Sequence, residues 1–259
     1  MKPSPIIMVH GGFCGGWAFD GFAAPFRAAG HSVVTPDLPG HEADGPSDAA
    51  LGRSMTDYAK AIAEQARRVK APPILIGHSM GGLVSLMASA RAPVAGVILL
   101  APSAPWGVGG SSMEEAISAV GLYALGPYWA QAIAPDYGSF RRYGVDRLPR
   151  EARRAIFARM RPESGRALFE TLNWWLDPFM TTMIHPEQVR APVLALAGGR
   201  DVIHPPATVR ETARRIGAAF ELMPQMSHWL IGEPGWDEVA ARCLDWADQL
   251  AVGVSAAAE

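Results

Sequence analysis

The sequence predicts an α/β fold, a doubly wound parallel sheet, and three observations carry that prediction. Short apolar runs alternate with longer stretches of helical character over the first hundred residues, as strands joined by crossover helices do. The runs are continuous rather than alternating, the pattern of strands covered on both faces. A serine set between glycines, Gly77-His78-Ser79-Met80-Gly81, stands between one such run and a helix-like stretch.

In chain order the strands are expected at Ile6 to Val9, Ser32 to Thr35, Ile74 to Ile76, Val94 to Leu100, Pro192 to Ala197 and Phe220 to Met223. That makes a sheet of about six. Between the fourth and fifth the pattern breaks for about ninety residues, far beyond an ordinary connection, so residues 104–186 are read as an inserted helical cap. Residues 1–103 and 187–259 then form the core. Within the insert, Pro149 opens a helix carrying Ala152, Ala155, Ile156, Phe157 and Met160 at helical spacing. Pro162 opens another, carrying Leu168, Leu172, Trp175 and Leu176. Four of the eight tryptophans, Trp106, Trp129, Trp174 and Trp175, fall here, and at least one is expected to face a ligand. The tail from Ser255 to Glu259 is expected to fray.

Composition narrows the partners. In 259 residues, 49% are hydrophobic and 19% charged, with a net charge of -2, which excludes a disordered chain and a strongly basic nucleic-acid binder. No apolar run approaches the roughly 18 residues of a membrane span. Two cysteines, Cys14 and Cys243, make neither a disulfide scaffold nor a metal cluster. Met1 to Pro5 leads straight into the first strand, leaving no room for a signal peptide, so a cytoplasmic location is expected. Nine arginines between Arg141 and Arg166 face only Asp146, Glu151 and Glu163. They form either a solvated helix face or an attractor for anionic substrates.

The chemistry centres on Ser79. A strand, a sharp turn with glycines two residues before and two after the serine, and a helix together make a nucleophile elbow. A serine hydroxyl needs a base within hydrogen-bond reach and a carboxylate to orient that base. Asp201 follows the fifth strand and His228 the sixth, both in strand-end loops where sites of open α/β sheets gather. The loop after Leu100 offers no competing carboxylate. Among the other histidines, His10 and His78 read as structural, His31 and His41 as surface residues, and His204 as the rival base.

The developing oxyanion needs backbone donors, expected from Met80, which opens a helix, and from Gly12 in the loop His10 to Trp17, with Phe13 as second choice. Phe13, Trp106, Trp129, Trp175, His185 and Trp229 are the candidate substrate-binding residues. The glycine-rich loop lacks both a Lys-Ser/Thr pair and G-x-G-x-x-G, which argues against phosphate binding, and no pair of histidines stands at metal-site spacing.

Taken together, His10-Gly11-Gly12, Asp37-Leu38-Pro39-Gly40-His41, Ser79, Asp201 and His228 resemble the motifs of the α/β-hydrolase family, over Ile6 to about Leu250. Length and the His10 to Trp17 segment are similar to small esterases and hydroxynitrile lyases of plant methyl-esterase type. The resemblance implies the α/β-hydrolase fold without its two N-terminal strands. It also implies a Ser79, His228, Asp201 triad. Ser79, where relatives that dehalogenate or open epoxides place Asp, points away from those reactions. Trp229, where hydroxynitrile lyases carry lysine, points away from that one.

The expected activity is hydrolysis of a small or medium carboxylic ester through an acyl-enzyme, without a cofactor, by a monomer or homodimer. Lactonase, thioesterase and C-C bond hydrolase readings stay open on the same triad, as does a ligand receptor with slow turnover.

Overall fold

The computed structural model describes residues 3–110, 113 and 121–256. Met1, Lys2, part of the predicted cap and the last three residues of the predicted tail lie outside them. Six parallel strands form one sheet: β1 (Ile6–Val9), β2 (Val33–Val34), β3 (Ile74–His78), β4 (Gly96–Leu100), and, beyond the insert, β7 (Val193–Gly198) and β8 (Ala219–Met223). Their order is β2-β1-β3-β4-β7-β8. All neighbouring pairs are parallel, with Val9 beside Gly77 and His78 beside Leu100.

The continuous apolar runs divide by parity between two cores. Ile7, Val9, Leu75, Val97, Leu99 and Ala195 face one side, packed under α2 (Met55–Arg68), α3 (Met80–Ser89) and α6 (Pro206–Ile216). Ile6, Met8, Ile74, Ile76, Ile98 and Leu100 face the other, with Phe26 of α1 (Ala24–Ala28) and Val239 and Cys243 of α7 (Trp236–Ala256). Two-sided burial holds for the four central strands only. The edge strands β2 and β8 are partly exposed, because an edge has sheet neighbours on one side alone. Helix α7 continues through Ala256, and residues 257–259 of the predicted tail lie outside the described residues.

Helix α2 shows how local sequence fixes an element. Ser54 Oγ accepts from Asp57 N at 3.1 Å and Asp57 Oδ2 accepts from Ser54 N at 2.9 Å, closing a capping box. Met55, Tyr58, Ala59, Ile62, Ala63 and Ala66 then recur at three- and four-residue steps and are buried.

Among the described residues, the segment between β4 and β7 combines helices with a short sheet. It holds α4 (Arg150–Phe157), α5 (Gly165–Leu172) and an antiparallel bridge of β5 (Ala132–Ile133) with β6 (Glu163–Ser164). Pro162 therefore precedes a strand, not a helix. The helix starts after Ser164, whose hydroxyl caps it by accepting from Ala167 N at 3.3 Å. Among the described residues, no helix is long and apolar enough to cross a membrane.

Candidate active site

Strand order reverses between β1 and β3, the place where open α/β sheets form a crevice. There β3 turns into α3 through Ser79, at φ 55° and ψ -126°. The turn forbids side chains on its flanks. A Cβ at Gly77 would strike Gly81 O and Ser85 Oγ, and one at Gly81 would strike the carbonyls of Val9 and His10. Backbone bonds pin the turn: Ser79 N donates to Leu100 O at 2.9 Å, and Ser103 N donates to Ser79 O at 3.0 Å.

Ser79 Oγ lies 3.1 Å from His228 Nε2, and His228 Nδ1 lies 2.8 Å from Asp201 Oδ2. Ile203 N and His204 N donate to Asp201 Oδ1 at 2.8 and 3.0 Å, which leaves Oδ2 to the imidazole. Burial pushes the Asp201 carboxyl up, but the His228 charge and these donors outweigh it and hold its pKa below the ordinary value. Two more imidazoles flank His228, with centroids at 5.0 Å (His78) and 5.3 Å (His204). Burial and the His228 charge push His78 down to about 3 and His204 to about 4, so both are neutral near pH 7. His78 Nε2–H donates to His228 O at 2.8 Å, fixing the loop that carries it. His204 Nε2 pairs with Ser103 Oγ at 3.0 Å, not with Ser79.

A cavity of about 620 Å³ opens beside Ser79, within the range of small-molecule sites. Its apolar wall comes from Ile133, Phe140, Met160, Leu168 and Leu172 of the insert, and from Phe13 and Trp229 of the sheet half. Gly12 and Met80 line it too, and among the described residues neither amide has a protein acceptor. The Phe13 amide is occupied: it donates to Glu163 Oε2 at 3.1 Å. Cys14 lines the cavity as a buried thiol that burial pushes up to about 12.

Four of the six candidate substrate-binding residues stand outside this cavity. Trp106 packs edge-on against Trp174, and Trp174 against Trp175, making an outer aromatic layer. Trp129 packs on Tyr128 and Phe169, and His185 stands exposed beside Glu187. No tryptophan of the insert reaches the cavity because helix-spaced aliphatic residues fill that face first.

The arginines stay out of it as well. Arg153 donates to the carbonyls of Leu148 and Asp146, Arg161 to those of Ala43, Gly45 and Pro46, and Arg159 lies over the Trp17 ring. His41, read as a surface residue, is buried and 3.0 Å from the buried carboxylate of Glu163. In the sequence Glu163 stands only as one acid among arginines, and nothing in its local sequence marks it as internal.

A family model described as "Alpha/beta hydrolase family" matches residues 6–242. The chain belongs to this family. Among curated relatives, the dihydrolipoyllysine-residue acetyltransferase component of the acetoin cleaving system of Pseudomonas putida is 34% identical over 174 residues. That match covers 59% of this chain and 45% of that protein, so this chain spans less than half the relative's length. The pimeloyl-[acyl-carrier protein] methyl ester esterase of Neisseria meningitidis is 27% identical over 231 residues, 86% of this chain and 85% of that one. Among solved structures, the methylesterase protein MES16 from Arabidopsis superposes with a TM-score of 0.73 at 17% identity, covering 95% of this chain and 99% of that one.

Proposed function

We propose that this α/β hydrolase is a serine esterase that cleaves neutral, largely apolar carboxylic esters through an acyl-enzyme. One observation carries the reading: a hydroxyl, imidazole and carboxylate joined by contacts of 3.1 and 2.8 Å at the wall of an apolar cavity. In this mechanism Asp201 accepts from His228 Nδ1–H, which leaves Nε2 free to take the proton of Ser79 Oγ as the oxygen attacks the ester carbonyl. The amides of Gly12 and Met80 hold the resulting oxyanion, with the N-terminus of α3 adding its dipole. His228 then protonates the departing alcohol. Water, activated by the same imidazole, releases the acid and restores Ser79.

Residues 104–186 act as a cap over the reaction half, 1–103 and 187–259, supplying the aliphatic wall that excludes water. Neutral substrates follow from the lining: among the described residues no lysine or arginine reaches the cavity, and the carboxylate of Asp136 stands at its exposed edge. The esterase named among the relatives supports the same class.

Steady-state hydrolysis of p-nitrophenyl esters of increasing acyl length tests this, with Ser79→Ala beside the intact protein. The expected result is a rate that peaks at one chain length and falls at least about a thousandfold in the variant. A folded protein inactive on every ester, or a variant that keeps its rate, overturns the reading.

A further inference from the structure

The loop from His10 to Gly16 is gripped by the insert at one residue. Phe13 sits at φ +64°, a conformation in which a bulky side chain is disfavoured, so something outside the turn must hold it. Both sides of Phe13 are held. Its amide donates to Glu163 Oε2 at 3.1 Å, and its carbonyl accepts from Arg161 N at 2.8 Å.

Glu163 is fully buried. Its Oε1 accepts from Tyr58 Oη at 2.6 Å and from Ser164 N at 2.8 Å, while Oε2 stands 3.0 Å from His41 Nε2. Burial pushes this carboxyl up, but the His41 charge and the donors around it prevail and keep it ionised below its ordinary pKa. Burial pulls His41 down, and Glu163 more than compensates, raising it. The second imidazole in the cluster, His10, has its ring centroid 5.2 Å from that of His41. It is neutral, with Nδ1–H donating to Gly11 O and Nε2 accepting from Leu38 N.

An ionised carboxylate beside the oxyanion turn poses an electrostatic problem. Oε2 lies 3.6 Å from where a Cβ on Gly12 would be, so its charge adjoins the place where negative charge develops during acyl transfer. The structure sets against that same oxygen the His41 imidazole, whose pKa the contact raises.

We propose that Glu163 and His41 are positioning residues for the oxyanion side of the site: Glu163 fixes the Phe13 turn so that the Gly12 amide serves the oxyanion, and His41 cancels its charge. This rests on the acyl-transfer reading of Ser79. The two residues come from different parts of the chain, so the turn is set only when insert and sheet half are docked.

The test compares a trifluoromethyl ketone, which forms a hemiketal oxyanion on Ser79, with the matching secondary alcohol, which fills the cavity without one. In Glu163→Gln, kcat on a p-nitrophenyl ester should fall about tenfold to a hundredfold with KM within about twofold. Ketone affinity should fall in proportion and alcohol affinity should hold. His41→Gln, which leaves the carboxylate uncompensated, should lose more. Adding Glu163→Gln to it should restore part of the loss, which a merely structural role would not do.

Should Glu163→Gln fail to fold, Tyr58→Phe removes one donor and should weaken the ketone alone, by a few-fold. Equal weakening of ketone and alcohol, unchanged kcat, or additive losses in the double variant would overturn the inference. An intact protein that neither turns over esters nor binds the ketone sinks the acyl-transfer reading and this inference together. A reactive intact protein with unmoved variants sinks this inference alone.

Discussion

At the ends of β3 and β7 the chain is shaped by what a side chain would strike, whereas the insert between β4 and β7, crowded in that way at Gly165, is tied to the sheet half by side-chain bonds to loop backbone. Gly77, Gly81 and Gly198 each lie where a Cβ would meet a carbonyl oxygen of a neighbouring turn. The insert instead sends Arg161 to three carbonyls of the 43–46 loop, and Ser164 Oγ to Arg53 O at 2.6 Å. Glu170 Oε2 accepts from Met55 N at 2.7 Å, capping α2 from outside. The contrast teaches where tolerance lies. Backbone crowding admits no relaxation, while a polar bridge loses one bond at a time.

The largest effect should come from testing the crowded side. Gly81→Ala places a methyl against the carbonyls of Val9 and His10, and only separating β1 from α3 makes room. We expect no soluble folded protein, or a Tm lower by more than ~10 °C, in a thermal melt followed by circular dichroism. Gly109→Ala, with no atom of the described residues within 4 Å of its Cβ, should melt with the intact protein. A Gly81→Ala variant that also does so would break the comparison.

A smaller effect should appear where the insert meets the loop of His228. Asp146 Oδ1 accepts from Ser227 Oγ at 2.7 Å, and the buried Glu233 carboxylate, 3.6 Å from Arg147, accepts from Ser227 N at 2.5 Å. Burial is the main cause that raises Glu233 to about 7, above its ordinary value of 4.5. Because the folded form holds the proton more tightly, its contribution to stability is present at low pH and is lost as pH rises through about 7. Chemical denaturation from pH 5 to 8 should show Glu233→Gln losing roughly 1–3 kcal/mol less stability than the intact protein over that range. Parallel pH curves would show that Arg147 fully offsets the burial.

These two regions also differ in how far they could be read in advance. The six strands, the Ser79 turn and the loops of Asp201 and His228 rest on local patterns: continuous apolar runs, glycines at steric contacts, and strand-end positions. The insert's exposed tryptophans misled because aromatic content does not say which face of a layer a ring covers. Trp175 is 55% exposed and Leu168 only 8%, although both fell in one segment read as helical. Glu163 and His41 were illegible for a different reason. They meet across 122 residues of chain; Glu163 carries no periodic or motif signal, and the Asp37 to His41 motif does not say that His41 is buried or what it faces.

That misreading supplies the smallest and sharpest prediction. Leu168 projects from α5 into the cavity wall, so Leu168→Ala should enlarge the acyl site and move the preferred p-nitrophenyl ester toward longer chains. Trp175 touches Trp174 and not the cavity, and more than half of it is already in water. Removing its ring should therefore change kcat/KM by less than about twofold and Tm by no more than ~2 °C, within the range of surface substitutions. Chain-length profiles of the two variants decide the matter. If Trp175→Ala shifts the preferred length and Leu168→Ala does not, the aromatic layer, not α5, bounds the substrate, and the insert docks in a different register from the one set by Glu163, Ser164 and Glu170.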